Sequence, residues 1–314
     1  MPARSTKTKD RRSKDHTKPN SRRRFKFLGI VIFLIVLAWF GIKKIFPPFT
    51  FNTFSVATIN SDASASIMLF DFENDLIKTF IIPQKTEISM ARQRGLWKME
   101  SVWKLIESEK LNPKTYSDSL MRTFGLPIDH WAKEDVMQLS DSDLLKSALS
   151  IGKFGSSNIS FKDRVRLFWF VRGVRSKDRE TVALSDTTYL KKTTLSDGES
   201  GYVVSGNPQD ISGAFSESTF ISPLFKIQVV NPDGTRDETT KIVVSIVETL
   251  GANVLAIKKN DTDLRDGNDC NIIVNKISVA SEKLAAVFSC SIVSGSDTNF
   301  DAVIELGEAF YARF

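Results

Sequence analysis

The sequence predicts an α/β (α+β) protein in three parts: a single N-terminal transmembrane helix, an α/β domain, and a small C-terminal β-α-β-β-α-β (split βαβ) domain. Three observations predict it. Sixteen uncharged, mostly apolar residues, Phe27 to Ile42, lie just behind Arg22, Arg23, Arg24 and Lys26. Beyond residue 49, short runs rich in Ile, Val, Phe and Leu give way to apolar residues at helical spacing. Strand and helix patterns then alternate again from Phe225 to Leu306.

The apolar stretch reads as a membrane anchor. Lys43 and Lys44 can snorkel while Ile45 and Phe46 stay buried, which extends the span to residues 27–46, about 20 residues and enough for a bilayer core. The following Pro47-Pro48 ends the helix, and no small residues mark a cleavage site, so the anchor is expected to be retained as a signal-anchor. Residues 1–26 carry eleven Lys or Arg against Asp10 and Asp15, a net of +9; the whole chain is +6, which leaves −3 for the remainder. By the positive-inside rule the tail is cytoplasmic and everything after Pro47 extracytoplasmic, in a single-pass cell-membrane protein. The tail has few hydrophobic residues, with Phe25 its one large aromatic at the membrane end, and should be disordered. It also lacks aromatic interleaving, so its charge fits anionic lipid heads, and no nucleic-acid partner is expected.

Residues 49–192 open with strands at Phe54–Ile59, Ser66–Phe72 and Leu76–Ile82, the last two joined by a Glu73-Asn74-Asp75 turn. Helices are expected at Lys98–Glu109, at Ser117–Thr123 closed by Gly125, at Asp141–Ser150 and at Phe161–Val174. Ser, Gly, Asp and Thr crowd residues 193–222, which reads as a linker. Residues 223–314 then supply the strand Phe225–Val230, the helix Arg236–Leu250 stopped by Gly251, and the strands Val254–Ile257 and Asn271–Val274. The helix Val279–Phe288 and the strand Ala302–Leu306 complete the order. That order predicts two helices over one face of an antiparallel sheet.

Little in the sequence points to catalysis. Asp129 and His130 could do acid–base chemistry, but adjacent residues on a strand face opposite ways, and no nucleophile signature accompanies them. The only histidines are His16 and His130, and the loop holding Asp261, Asp263, Asp266 and Asp269 does not have EF-hand spacing, so no metal site is assigned. Cys270 and Cys290 are the only cysteines. They read as two small buried residues, although a bridge is chemically possible outside the membrane.

The stretch Asn60 to Asn74, followed by Ile81-Ile82-Pro83, resembles the opening of the LytR-CpsA-Psr family of envelope proteins. Phe124-Gly125-Leu126-Pro127-Ile128-Asp129-His130-Trp131 is similar to a later segment of the same family. Residues 225–314 look like the LytR C-terminal domain, through Val229-Val230-Asn231, Gly234-Thr235, Leu250-Gly251-Ala252-Asn253-Val254 and Asp301 to Gly307. The resemblance implies transfer of a lipid-pyrophosphate-linked glycopolymer onto peptidoglycan, with a divalent metal and arginines holding the pyrophosphate.

The chain departs from that pattern where the chemistry should sit. Gln84 and Lys85 occupy the positions where the family has arginine and aspartate. An amide has no charge and no bidentate fork for phosphate, and an ammonium at 85 reverses the sign a metal requires. The expectation is therefore a degenerate site in which Asp62, Gln84, Lys85, Arg92, Arg94, Arg164 and Arg172 could still touch an anionic polymer or a pyrophosphate. No catalytic residue and no cofactor are assigned. The chain is expected to be a membrane-anchored, extracytoplasmic cell-envelope protein, non-catalytic, that binds cell-wall glycopolymer or an envelope protein. The alternative is a divergent phosphotransferase using Mg2+ or Mn2+.

Overall fold

A computed structural model describes residues 51–133, 157–206, 211, 213–221, 223–232, 234, 237–259, 269–295 and 299–314. The basic tail, the anchor at 27–46, the helix expected at Asp141–Ser150, and Asp261, Asp263 and Asp266 lie outside the described residues. Among the described residues no helix is long and apolar enough to cross a membrane.

Three strands form where the alternation predicts them: β1 (Thr53–Ile59), β2 (Ala65–Asp71) and β3 (Leu76–Ile82). The Asp71 carboxylate holds the turn between β2 and β3 by accepting from the amides of Glu73 (3.1 Å) and Asn74 (3.0 Å). A short hairpin follows, β4 (Glu87–Ser89) with β5 (Leu96–Lys98), then α1 (Met99–Ser108) and α2 (Lys114–Phe124). Gly125 ends α2 in the left-handed region, φ 61°. The strand β6 (His130–Lys133), the helix α3 (Phe161–Gly173) and the strand β7 (Arg179–Ala183) complete this half.

The first sheet has the order β6-β1-β2-β3-β7, antiparallel through its centre and parallel at both edges. Its side chains sort by the two-residue period. Phe54, Val56, Phe70 and Ile77 meet Leu167, Phe168 and Val171 of α3 on one face. On the other, Ala57, Ile67, Leu69 and Phe80 join Val102 and Ile106 of α1 and Tyr116, Leu120 and Phe124 of α2.

The stretch expected to be a linker is structured in part. Its beginning pairs as a hairpin, β8 (Leu190–Thr194) with β9 (Ser200–Val204), and a one-turn helix α4 (Ser218–Ile221) follows. Small polar residues suit a tight hairpin as well as a free tether, so composition does not separate them. Gly201 is required here: a Cβ on it would lie 2.3 Å from the Lys85 carbonyl oxygen, to which the neighbouring Tyr202 amide donates at 2.9 Å.

The second half contains β10 (Lys226–Asn231), α5 (Glu238–Thr249), β11 (Asn253–Lys259), β12 (Cys270–Val274), α6 (Val279–Phe288), β13 (Ser291–Ser294), β14 (Ala302–Leu306) and α7 (Glu308–Arg313). The Asp237 side chain accepts from the Thr240 amide to cap α5, and Ser278 with Ser281 forms a capping box on α6. The predicted order is correct as far as it goes but misses β13 and α7. The sheet order is β11-β10-β14-β12-β13, and three of its four ladders are parallel. The expectation of an antiparallel sheet is thus overturned. Each of α5 and α6 returns the chain to a strand beside the one it left, and such a crossover pairs the two strands in parallel.

One hydrophobic cluster contains residues of both sheets, from Ile67 and Phe80 to Ile227, Val247, Ile272 and Ile304. Each fully buried side chain of this size contributes about 1.5–3 kcal/mol. Exposed ion pairs contribute at most about 1 kcal/mol, so packing dominates.

The reading of the two cysteines as separate buried residues is corrected. Cys270 at the start of β12 and Cys290 just after α6 form a disulfide, with 4.8 Å between their Cα atoms. The hydrophobic surroundings look the same in sequence either way; what joins them is the return of α6 across β12. The bridge spans 20 residues, so on a chain-entropy argument its reduction should lower stability by about 3 kcal/mol. Chemical denaturation with and without reductant measures this; equal midpoints would show that the bridge adds nothing.

Candidate functional site

The residues expected to meet an anionic ligand are distributed over both faces of the first sheet. Asp62 sits in the β1–β2 turn, where its Oδ1 accepts from the Ser64 hydroxyl (2.6 Å) and amide (2.9 Å). These bonds, the hydroxyl first, hold its carboxyl below the ordinary aspartate value. The Gln84 amide nitrogen donates to the Asp62 carbonyl oxygen. These two positions are therefore brought together, but by the chain's own hydrogen bonds.

Lys85 follows and turns to Glu199, 3.2 Å away. Lys98 at the end of β5 meets both Asp197 and Glu199, the latter at 2.8 Å. Both carboxylates belong to the β8–β9 turn. Their hydrogen bonds raise the Lys98 ammonium above its ordinary value, and in return Lys98 depresses both carboxyls. The hairpin formed within the expected linker thus supplies the counter-charges for Lys85, one of the two degenerate positions, and for Lys98, which shares Glu199 with it.

The arginines do not converge on them. Arg92 is exposed at the tip between β4 and β5 with φ 65°. Arg94, on the same tip, pairs with Glu109, and its carbonyl accepts from the Trp97 indole at 2.9 Å. Ile88 and Met90 fix this hairpin in the cluster under the α1 and α2 face. Arg164 and Arg172 lie on α3, across the opposite face. Arg164 is 4% exposed and donates to the Ile159 carbonyl at 3.0 Å; Arg172 stacks over the Phe168 ring at 4.9 Å.

Arg122 lies outside the set of residues expected from the sequence. This α2 residue donates to Ser89 Oγ, the Phe314 carbonyl and Glu238, each at 3.2 Å. It floors a groove of about 530 Å³ between the β4–β5 tip and the start of α5, with Met90, Leu96, Glu238 and Tyr311 among its walls. The groove combines apolar surface with paired charge, which suits a polar polymer or a peptide edge better than a free phosphate. Nothing in the local sequence marks Arg122, because its partners lie 33 to 192 residues away.

Asp129 and His130 take opposite directions, as adjacent strand residues should. Asp129 Oδ2 accepts from the Ser55 amide (2.8 Å), the Ser55 hydroxyl (3.0 Å) and the buried Lys283 ammonium (2.8 Å). Its role is architectural. His130 packs against Phe54, ring centroids 4.7 Å apart, and its Nδ1 is sealed from solvent with no partner among the described residues. No group of three or more His, Cys, Asp or Glu side chains that could hold a metal ion occurs among the described residues.

Comparison with solved structures returns LytR-CpsA-Psr proteins. The chain is similar to TagT of B. subtilis at 15% identity over 51% of this chain and 88% of that one, with a TM-score of 0.35. It is similar to the LytR-CPS2A-psr family protein YwtF (TagT) with bound octaprenyl pyrophosphate lipid at 13% identity, over 52% and 87%, with a TM-score of 0.34. For B. subtilis TagV the figures are 11%, 64% and 98%, and 0.39. No protein-family model and no curated protein matches the chain. No residue role follows from likeness at these identities.

Burial lowers the His130 pKa below its ordinary 6.5, against the nearby Asp129 charge, which opposes the shift. With the folded value depressed, the unfolded chain binds the extra proton, so stability present above about 6.5 is lost as the pH falls. Denaturation midpoints should therefore drop between pH 8 and pH 5.5, with a smaller drop for His130→Phe; identical slopes for the two proteins would remove His130 from the cause.

Proposed function

We propose that this chain is a membrane-anchored, extracytoplasmic envelope module that binds wall glycopolymer or an envelope protein and does not transfer the polymer. One observation carries the reading. At positions 84 and 85, where the family resemblance calls for a phosphate-binding arginine and a metal-binding aspartate, Gln84 is bonded to the Asp62 carbonyl and Lys85 is matched by Glu199. Transfer from a pyrophosphate carrier develops negative charge on phosphate oxygens, and arginine forks with a divalent cation are the usual means of stabilising it. The internal partners of Gln84, Lys85 and Lys98 leave less uncompensated positive charge there than transfer needs. The Arg122 groove is the surface we assign to binding, through its mixture of apolar walls and a paired guanidinium.

The full chain, offered lipid-linked glycopolymer, acceptor glycan and Mg2+ or Mn2+, should give no product. Gln84→Arg with Lys85→Asp should bind a polyprenyl-pyrophosphate lipid more tightly than the native chain, by about tenfold if one bidentate pair forms. Metal-dependent turnover by the native chain, abolished by Arg164→Ala, would overturn this reading in favour of a phosphotransferase.

A further inference from the structure

We propose that the outer face of α3 docks on the anionic surface of the bilayer that holds the chain. This rests on reading residues 27–46 as a membrane anchor. The buried side of α3 is filled by Leu167, Phe168 and Val171. On the other side Phe161, Val165, Trp169 and Arg172 recur at spacings of four, four and three, which is a continuous stripe on a helix. Trp169 is 59% exposed, more than any other large hydrophobic residue among those described, and Phe161 is 50% exposed.

Charge accompanies the aromatics. Lys162, Arg166 and Arg172 on the helix, with Arg175 and Lys177 just beyond it, face only Asp163 and Asp178 in the same stretch. Asp163 pairs with Arg166 at 2.9 Å and Asp178 with Arg175 at 2.7 Å. Five cations against two acids leave a surplus of three around an exposed indole. Amphipathic rings ringed by lysine and arginine are what the headgroup layer of an anionic bilayer selects.

Chain length keeps the bilayer within reach. Six residues lie between Phe46, the end of the apolar stretch, and Thr53, the first of β1, so the seven Cα–Cα steps let β1 begin at most about 25 Å along the chain from Phe46. α3 packs on that same end of β1, since Phe54 and Val56 belong to its buried cluster. The helix therefore lies beside the strand through which the chain enters the fold. An indole kept in water at this place is explained by a surface that covers it.

Trp169 emission, taken as the difference between the full native chain and Trp169→Phe, tests this in liposomes of phosphatidylglycerol and phosphatidylcholine carrying acyl-brominated lipid. The Trp169 contribution should be quenched at least about twofold. It should recover in phosphatidylcholine alone and in the pair Lys162→Glu, Arg172→Glu. Carbonate extraction reads the anchor separately. A chain that resists carbonate while Trp169 escapes the brominated lipid overturns the docking alone. In that case quenching by aqueous acrylamide would show an open face, and protection from acrylamide would show a face covered by residues 134–156 or by added wall glycan. Release by carbonate would overturn the anchor, and the docking with it.

Discussion

Within the apolar cluster that the two sheets share, a buried ammonium group ties one half of the fold to the other. Lys283, on α6, is 1% exposed, and its Nζ donates to Asp129 Oδ2 at 2.8 Å and to the Thr53 carbonyl at 2.9 Å, with Glu217 Oε1 at 3.6 Å. An ammonium this deep is tolerated only when paired, because its desolvation otherwise costs several kcal/mol. Its partners come from β1, from the segment entering β6, and from the residue before α4. Glu217 in turn accepts from the Thr53 amide and hydroxyl, at 2.8 and 2.6 Å. Contacts between positions up to 230 residues apart must therefore form together, and each half of the fold supplies charges that the other requires.

The same economy of charge shapes the candidate site. The β8–β9 turn places Asp197 and Glu199 on Lys98 and Lys85, and Gly201 allows the close approach that makes this possible. These pairs are largely exposed and add little to stability. Their effect is electrostatic and local, since two carboxylates neutralise two ammonium groups. Along and just beyond α3, five cations meet two acids beside exposed aromatics, an arrangement that fits a flat anionic surface better than a small anion.

Much of the fold was legible in the sequence. β3, α6 and β14 occur within the residues their periodicity predicts, and Gly125 stops α2 as expected. Periodicity reports which face of an element is apolar and is silent about what that face meets. Strand direction in the second sheet, the Cys270–Cys290 bridge and the β8–β9 hairpin all depend on contacts between distant segments, and so were missed. Lys283 did leave a trace: it stands between Ala280, Leu284 and Val287, on the apolar stripe of α6, where a lysine has no reason to be unless something negative faces it. The opposite orientations of Asp129 and His130 were readable from adjacency alone, but the partner of Asp129 was not. Of the candidate site, the departures at 84 and 85 were visible in the residues themselves, whereas their counter-charges and the Arg122 groove required the fold.

Lys283 should make the two sheets unfold as one. Amide hydrogen exchange under increasing denaturant measures the opening free energy of β1–β3 and of β10, β12 and β14 separately. In the native chain both sets should open together at the global free energy. Lys283→Met, which leaves Asp129 and Glu217 buried without their cation, should lower that value by about 3–5 kcal/mol and split the two sets. Separate opening of the two sheets in the native chain, or an unchanged common value in Lys283→Met, would contradict it.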